Sequence, residues 1–185
     1  MARVISIGNQ SFESMCERDN FYIDKTSFIK EWWENDDTVT LITRPRRFGK
    51  TLNLNMLECF FSNKYKDRGD LFEGLDIWKE EKYRELQGTY PVIFISFAKI
   101  KQNNYTDTIA GIKRIICDVI QKYYFLKDWQ GLTDEEKNNL KSITYGMDDV
   151  TAQEAIASIS NYLSRYYGKK VIILLDEYDT PMQEA

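Results

Sequence analysis

Two periodicities alternate along this chain. At residues 38–43, 92–97 and 171–175 apolar and β-branched residues run continuously as TVTLIT, VIFISF and VIILL, the length and composition of buried strands. Between these runs the apolar positions recur at helical spacing. Phe12, Met15 and Cys16 follow Ser11, a serine cap, and Phe28, Ile29, Trp32 and Trp33 follow Thr26, read as a second cap. The Trp pair reads as core or as a helix-docking face. Leu52, Met56, Leu57, Phe60 and Phe61 form another stripe, and Ile109, Ile112, Ile116, Val119, Ile120 and Tyr123 mark the buried side of a long helix over 106–126. The stretch DRGDLFEGLDIWKEEKYRELQGTYP reads as a turn and one charged helix, LTDEEKNNLKSI as a capped exposed helix, and 151–167 as a helix that Gly168 ends. Strands separated by helices imply crossover connections and a parallel sheet, the α/β class.

A chain of 185 residues holds one sizeable core, so a single domain over 1–185 is expected, with 1–37 as its helical lead-in. The net charge of -4 gives no global reason to expect nucleic acid, although a local basic patch could bind anions. Cys16, Cys59 and Cys117 are odd in number and far apart, which suggests neither a disulfide framework nor a zinc site and fits a reducing compartment. No apolar run approaches the ~20 residues of a membrane span and no signal-peptide core stands at the start, so the expectation is a cytoplasmic protein without a membrane partner. Histidine is absent. Within this chain that removes Ser-His-Asp hydrolysis, Cys-His nucleophiles and His-ligated metals.

The strand-like run at 38–43 breaks into RPRRFGKT, residues 44–51, and resumes at helical spacing. Gly49, Lys50 and Thr51 match the end of the phosphate loop G-x-x-x-x-G-K-[ST], in which backbone amides wrap the phosphates, the lysine neutralises their outer charge and the hydroxyl holds magnesium. Arg44 stands where the first glycine belongs. Pro45 removes an amide that could face phosphate, while Arg46 and Arg47 add charge that could replace it. The candidate nucleotide-binding run is therefore Arg46, Arg47, Phe48, Gly49, Lys50, Thr51 and Leu52. A magnesium-dependent nucleotide site also needs a carboxylate at the end of another buried strand. VIILLDE, residues 171–177, supplies one: Asp176 is the candidate metal ligand with Thr51, and Glu177 the candidate base beside Lys50 in catalysis. The E-x-K patterns at 80–82 and 135–137 fall in charged helical segments and read as exposed pairing, and the aromatic run 123–125 reads as core.

YIDKT at 22–26, LITRPRRFGKTLNLNML at 41–57 and ILLDEYDTP at 173–181 occur in one order, and with them the chain resembles the N-terminal part of the AAA-ATPase-like family, bacterial P-loop proteins with an RPRRFGK[ST] loop. The resemblance implies that Arg44 is the family's own variant of the loop. It implies a P-loop NTPase fold, a three-layer αβα sandwich of the additional-strand class, with ATP and Mg2+ as cofactors, and it puts Tyr22, Asp24 and Lys25 near the adenine. It also implies that a sensor strand follows Asp176 and Glu177, often with a PD-(D/E)XK nuclease-like domain beyond it. The chain ends at Ala185, so a partial domain is expected, whose strands pair directly or whose sheet a protein partner or a missing C-terminal part completes. The function expected is ATP binding with magnesium-dependent hydrolysis. The alternatives are a non-hydrolysing nucleotide sensor and a basic-loop contact to nucleic acid.

Overall fold

In the computed structural model, which describes residues 4–6, 8–43, 48–102 and 104–183, helix and sheet segregate along the chain. Contacts divide it into two units, Met1–Tyr90 and Pro91–Ala185. Every named strand among the described residues lies in the second.

The first unit contains α1 (Phe12–Glu17), α2 (Ser27–Asn35), α3 (Lys50–Phe61) and α4 (Glu81–Leu86). Ser11 caps α1 as expected, its hydroxyl accepting from the Ser14 amide. Its core is aromatic: Phe12 stacks on Phe72 with ring centroids 5.1 Å apart, and Phe60 meets Phe72 edge-on. The Trp stripe docks α2, with Trp33 stacked on Phe61 and Trp32 edge-on to the same ring. Thr26 precedes α2, yet its side chain does not cap the helix. That hydroxyl is buried and used elsewhere: it donates to Asp24 at 2.7 Å and accepts from the Ile77 amide at 3.1 Å.

Two further expectations fail in this unit. The single charged helix is broken into 3₁₀ turns at Gly69–Phe72 and Asp76–Lys79 before α4. The reason is local: the amides of Asp76 and Ile77 bond the Asp24 carboxylate and the Thr26 hydroxyl, so they do not join a helix ladder. The run at 38–43 forms no strand. Val39 is 86% and Leu41 62% exposed. β-rich composition supplies propensity, but a strand needs a neighbour to take its amides and carbonyls, and no described segment pairs with this one.

The second unit runs β1 (Val92–Ser96), α5 (Tyr105–Gln121), α6 (Asp134–Ser142), α7 (Asp149–Tyr167), β2 (Ile172–Asp176) and α8 (Thr180–Gln183). β1 and β2 pair in parallel with Val92 opposite Ile172 and Ser96 opposite Asp176. This mixed arrangement of helices and a small parallel sheet is compatible with the α/β class. Asn104 and Asp148 cap α5 and α7, and Thr133 with Glu136 forms a full capping box on α6. Gly168, at φ 65°, follows α7 as its C-cap. Ile93 and Ile95 face a core built with Ile116, Ile120, Leu140, Ile159 and Leu163.

β2 is less buried than its sequence suggests. Leu174 and Asp176 are buried, while Ile173 and Leu175 are 43% and 46% exposed, because β2 has a strand partner on one side only among the described residues. The run 123–125 also differs from a uniform core. Tyr123 is half-buried and donates its hydroxyl to the Val92 carbonyl at 2.6 Å, whereas Tyr124 and Phe125 are exposed in a 3₁₀ turn after α5.

Candidate functional site

Two groups of candidate residues stand on the fold, one in each unit. In the first, α3 starts at Lys50, directly after Gly49 in the left-handed conformation at φ 76°, ψ 24°. A Cβ added to Gly49 would meet nothing within 4 Å. The backbone angle, and not crowding, is what calls for glycine there. Its N-cap, Gly49, has no side chain of its own to accept from the first-turn amides. A helix start without a side-chain acceptor presents amides and the positive end of the dipole, which suits an anion. Lys50, Thr51 and Leu52 are half-buried at this end, and Phe48 is exposed just before it. Arg44, Pro45, Arg46 and Arg47 lie outside the described residues.

Asn55 of TLNLN ties α3 to its surroundings. Asn53 is buried, and the Asn55 side-chain carbonyl accepts from the Phe12 amide at 2.7 Å while its NH2 group donates to Glu58. The N-terminus of α1 is thereby tied to α3.

YIDKT is built into the same unit. The Tyr22 ring packs edge-on to Phe12, its hydroxyl donates to the Met56 sulfur at 3.2 Å, and burial pushes its pKa up to about 12. The Asp24 carboxylate accepts from the Thr26 amide at 2.8 Å, the Thr26 hydroxyl and the Asp76 amide at 2.7 Å. Burial works against its charge, yet the Thr26 and Asp76 amides, the Thr26 hydroxyl and nearby Lys79 together hold its pKa below the ordinary carboxylate value.

The second group lies at the carboxyl ends of the parallel strands, where open α/β sheets bind ligands. Asp176 is 4% exposed at the last position of β2. Its backbone carbonyl accepts from the Phe97 amide at 3.0 Å, and its carboxylate Oδ2 accepts from the Ser96 hydroxyl at 3.4 Å. Glu177, half-buried, follows with φ 52°. A non-glycine residue held there carries strain of about 1 kcal/mol or more, a feature that clusters at functional sites. Ser96 escaped the sequence reading; its signal is the one hydroxyl in VIFISF, which only the strand register aligns with the acid.

No group of three or more His, Cys, Asp or Glu among the described residues could hold a metal by itself. Magnesium takes one or two protein oxygens and completes its shell with water and phosphate. The Asp176 carboxylate in the second unit and the Thr51 hydroxyl in the first are, each taken alone, oxygens of that kind. The thiols offer little chemistry: burial pushes Cys16 up to about 11 and Cys59 up to about 12, which disfavours the reactive thiolate. No helix among the described residues is long and apolar enough to cross a membrane.

Comparison with known proteins follows the same motifs. A family model described as "Predicted AAA-ATPase" matches residues 6–185. A protein of Azotobacter chroococcum mcd 1, described as "Uncharacterized protein in vnfD 5'region", is 30% identical over 183 residues. That similarity covers 96% of this chain and 29% of the relative, so the chain spans under a third of that protein's length. No solved structure matches.

Proposed function

The chain belongs to the AAA-ATPase-like family, and from that membership we propose that it is a P-loop domain that binds ATP with magnesium and hydrolyses it. The observation that carries the reading is the start of α3: a left-handed glycine at the N-cap, and Lys50 and Thr51 in the first turn that follows it. The acid at the end of β2 supports it independently.

In this reading the sheet belongs to a three-layer αβα sandwich, and residues 1–185 work as one nucleotide-binding domain with 1–37 as its lead-in. The amides from Gly49 to Leu52 face the phosphates, with Arg46, Arg47 and Phe48 contributing to the same loop. Lys50 neutralises the β and γ phosphates as charge builds in the transition state. Thr51 and Asp176 would hold the magnesium ion, which would neutralise and orient the phosphate oxygens. Glu177 orients a water and accepts its proton as the water oxygen bonds to the γ phosphorus; the bond from that phosphorus to the bridging oxygen breaks, and ADP departs. The work of hydrolysis serves a cytoplasmic process.

Calorimetric titration with Mg-ATP tests the reading. Lys50→Ala is expected to weaken binding by about tenfold or more, since a charge-assisted phosphate contact is lost. Glu177→Gln is expected to keep binding and to lower turnover by about a hundredfold or more, the usual scale of general-base loss. Equal heats from the parent chain and Lys50→Ala, or no heat from either, would reject the nucleotide site. Binding without turnover in the parent would leave a nucleotide sensor and reject the enzyme.

A further inference from the structure

We propose that Ser96 is a positioning residue for the Asp176 carboxylate, setting how that acid meets the metal that accompanies ATP; the inference rests on the nucleotide reading above. Ser96 and Asp176 are partners in the β1–β2 register. In-register residues of parallel strands point to the same face, so the hydroxyl and the carboxylate stand side by side at the ends of their strands. The earlier pairs on that face are Val92 with Ile172 and Phe94 with Leu174, all apolar. A hydroxyl occurs on β1's side of this face only where β2 presents its acid.

The hydrogen bonds fix which way the serine proton points. The Ala98 amide approaches the Ser96 oxygen at 3.5 Å, and the Ser96 hydroxyl reaches Asp176 Oδ2 at 3.4 Å. An amide can only donate, so the serine oxygen accepts there and its own proton is left for the carboxylate. Both contacts are long. Such a bond biases the carboxylate's rotation without adding charge, and it yields readily when a cation takes the acid. Asp176 is buried, and its backbone carbonyl accepts from the Phe97 amide, so the Ser96 hydroxyl meets the carboxylate of a residue whose main chain is already held. Groups that orient a metal-binding side chain from behind act in this manner, and losing one weakens metal affinity by about tenfold or more.

The test is the enhancement of ATP affinity by Mg2+, measured by calorimetry with and without the metal on the parent chain, Ser96→Ala, Ser96→Thr and Asp176→Asn. Ser96→Ala is expected to leave Mg2+-free ATP affinity within about twofold and to reduce the enhancement by about tenfold. Ser96→Thr, which keeps the hydroxyl, is expected to restore it. An unchanged enhancement in Ser96→Ala, with a reduced one in Asp176→Asn, overturns the role of Ser96 and leaves the nucleotide reading intact. So does a Ser96→Ala protein that loses ATP affinity equally with and without metal and melts earlier, because that marks a structural serine. If the parent binds no ATP, or Asp176→Asn keeps the full enhancement, the metal assignment fails and this proposal fails with it.

Discussion

Asp24 shows how much a single side chain does in the first unit. Its carboxylate gathers two amides and one hydroxyl from residues 26 and 76, so the segment before α2 and the 3₁₀ turn at Asp76–Lys79 share one acceptor. Asp24→Ala would leave the Asp76 amide and the buried Thr26 hydroxyl short of a partner. Because bonds to a charged acceptor contribute more than neutral ones, the expected loss is about 2 kcal/mol in urea unfolding, with Asp24→Asn losing about half as much since it keeps one acceptor oxygen. A loss within experimental error for Asp24→Ala would show that the joint is held by packing instead. The resemblance puts YIDKT near adenine, while the geometry gives Tyr22 and Asp24 work in packing and turn formation. Spacing in the sequence could not separate these uses, because Asp76, the partner that joins Asp24 to the 3₁₀ turn, lies 52 residues away. Glu177 poses the converse case: it was legible as a chemical group, but its left-handed backbone was not, since nothing in the string DEYD demands that angle.

At the scale of elements, glycine separates two kinds of constraint. Gly49 and Gly88 both have positive φ, 76° and 69°. Around Gly49 a Cβ has open space, whereas at Gly88 it would fall 2.3 Å from the Lys66 Cα. The Gly88 amide also donates to the Phe60 carbonyl at 2.7 Å, drawing this turn against the end of α3. Gly49→Ala is therefore expected to lose about 1 kcal/mol from backbone strain alone, and Gly88→Ala about 3 kcal/mol, because backbone overlap adds to it. Denaturant midpoints of the two variants decide this, and equal losses would contradict the close approach at Gly88. Only Gly49 was conspicuous beforehand, through its place in RPRRFGKT. The same division runs through the elements. The stripes of α3 and α5 were readable because burial follows their 3.6-residue period, and VIFISF and VIILL were readable as strands of a parallel sheet. The run at 38–43 has the same composition and no strand partner among the described residues, so its fate depended on tertiary pairing, which composition does not encode.

Across the whole molecule, the chemistry of the candidate site was more legible than its support. Gly49, Lys50, Thr51, Asp176 and Glu177 announce themselves by residue type and spacing, while Asn55 and Ser96 matter through neighbours that only the fold brings near. The acids show a further property distributed over both units. In the first, Asp24, Glu34 and Glu80 are held below their ordinary pKa, and in the second Asp148 and Glu136 are. Glu136 is moved furthest, from 4.5 to about 2, first by its hydrogen bond to Arg165 and then by the Thr133 amide of the capping box. A depressed carboxylate contributes stability that is whole above its unfolded pKa and is lost as pH falls through the folded value. For Glu136 that window runs from about pH 4.5 down to about 2, and for Asp24 it opens below 3.8. The melting temperature should thus be level on the neutral side of pH 4.5 and fall below it. Arg165 also lies over the Trp129 ring at 5.7 Å, so its pairing with Glu136 ties α6 to α7 through a side chain already held. Glu136→Gln is expected to lower the melting temperature near neutral pH and to converge on the parent as pH falls from about 4.5 toward 2, where the parent's own carboxylate is about half protonated. Melting curves that stay parallel across that range would mean the pair contributes no pH-dependent stability, as many exposed ion pairs do not; convergence would show that the capping box and the Arg165 pair act on one charge.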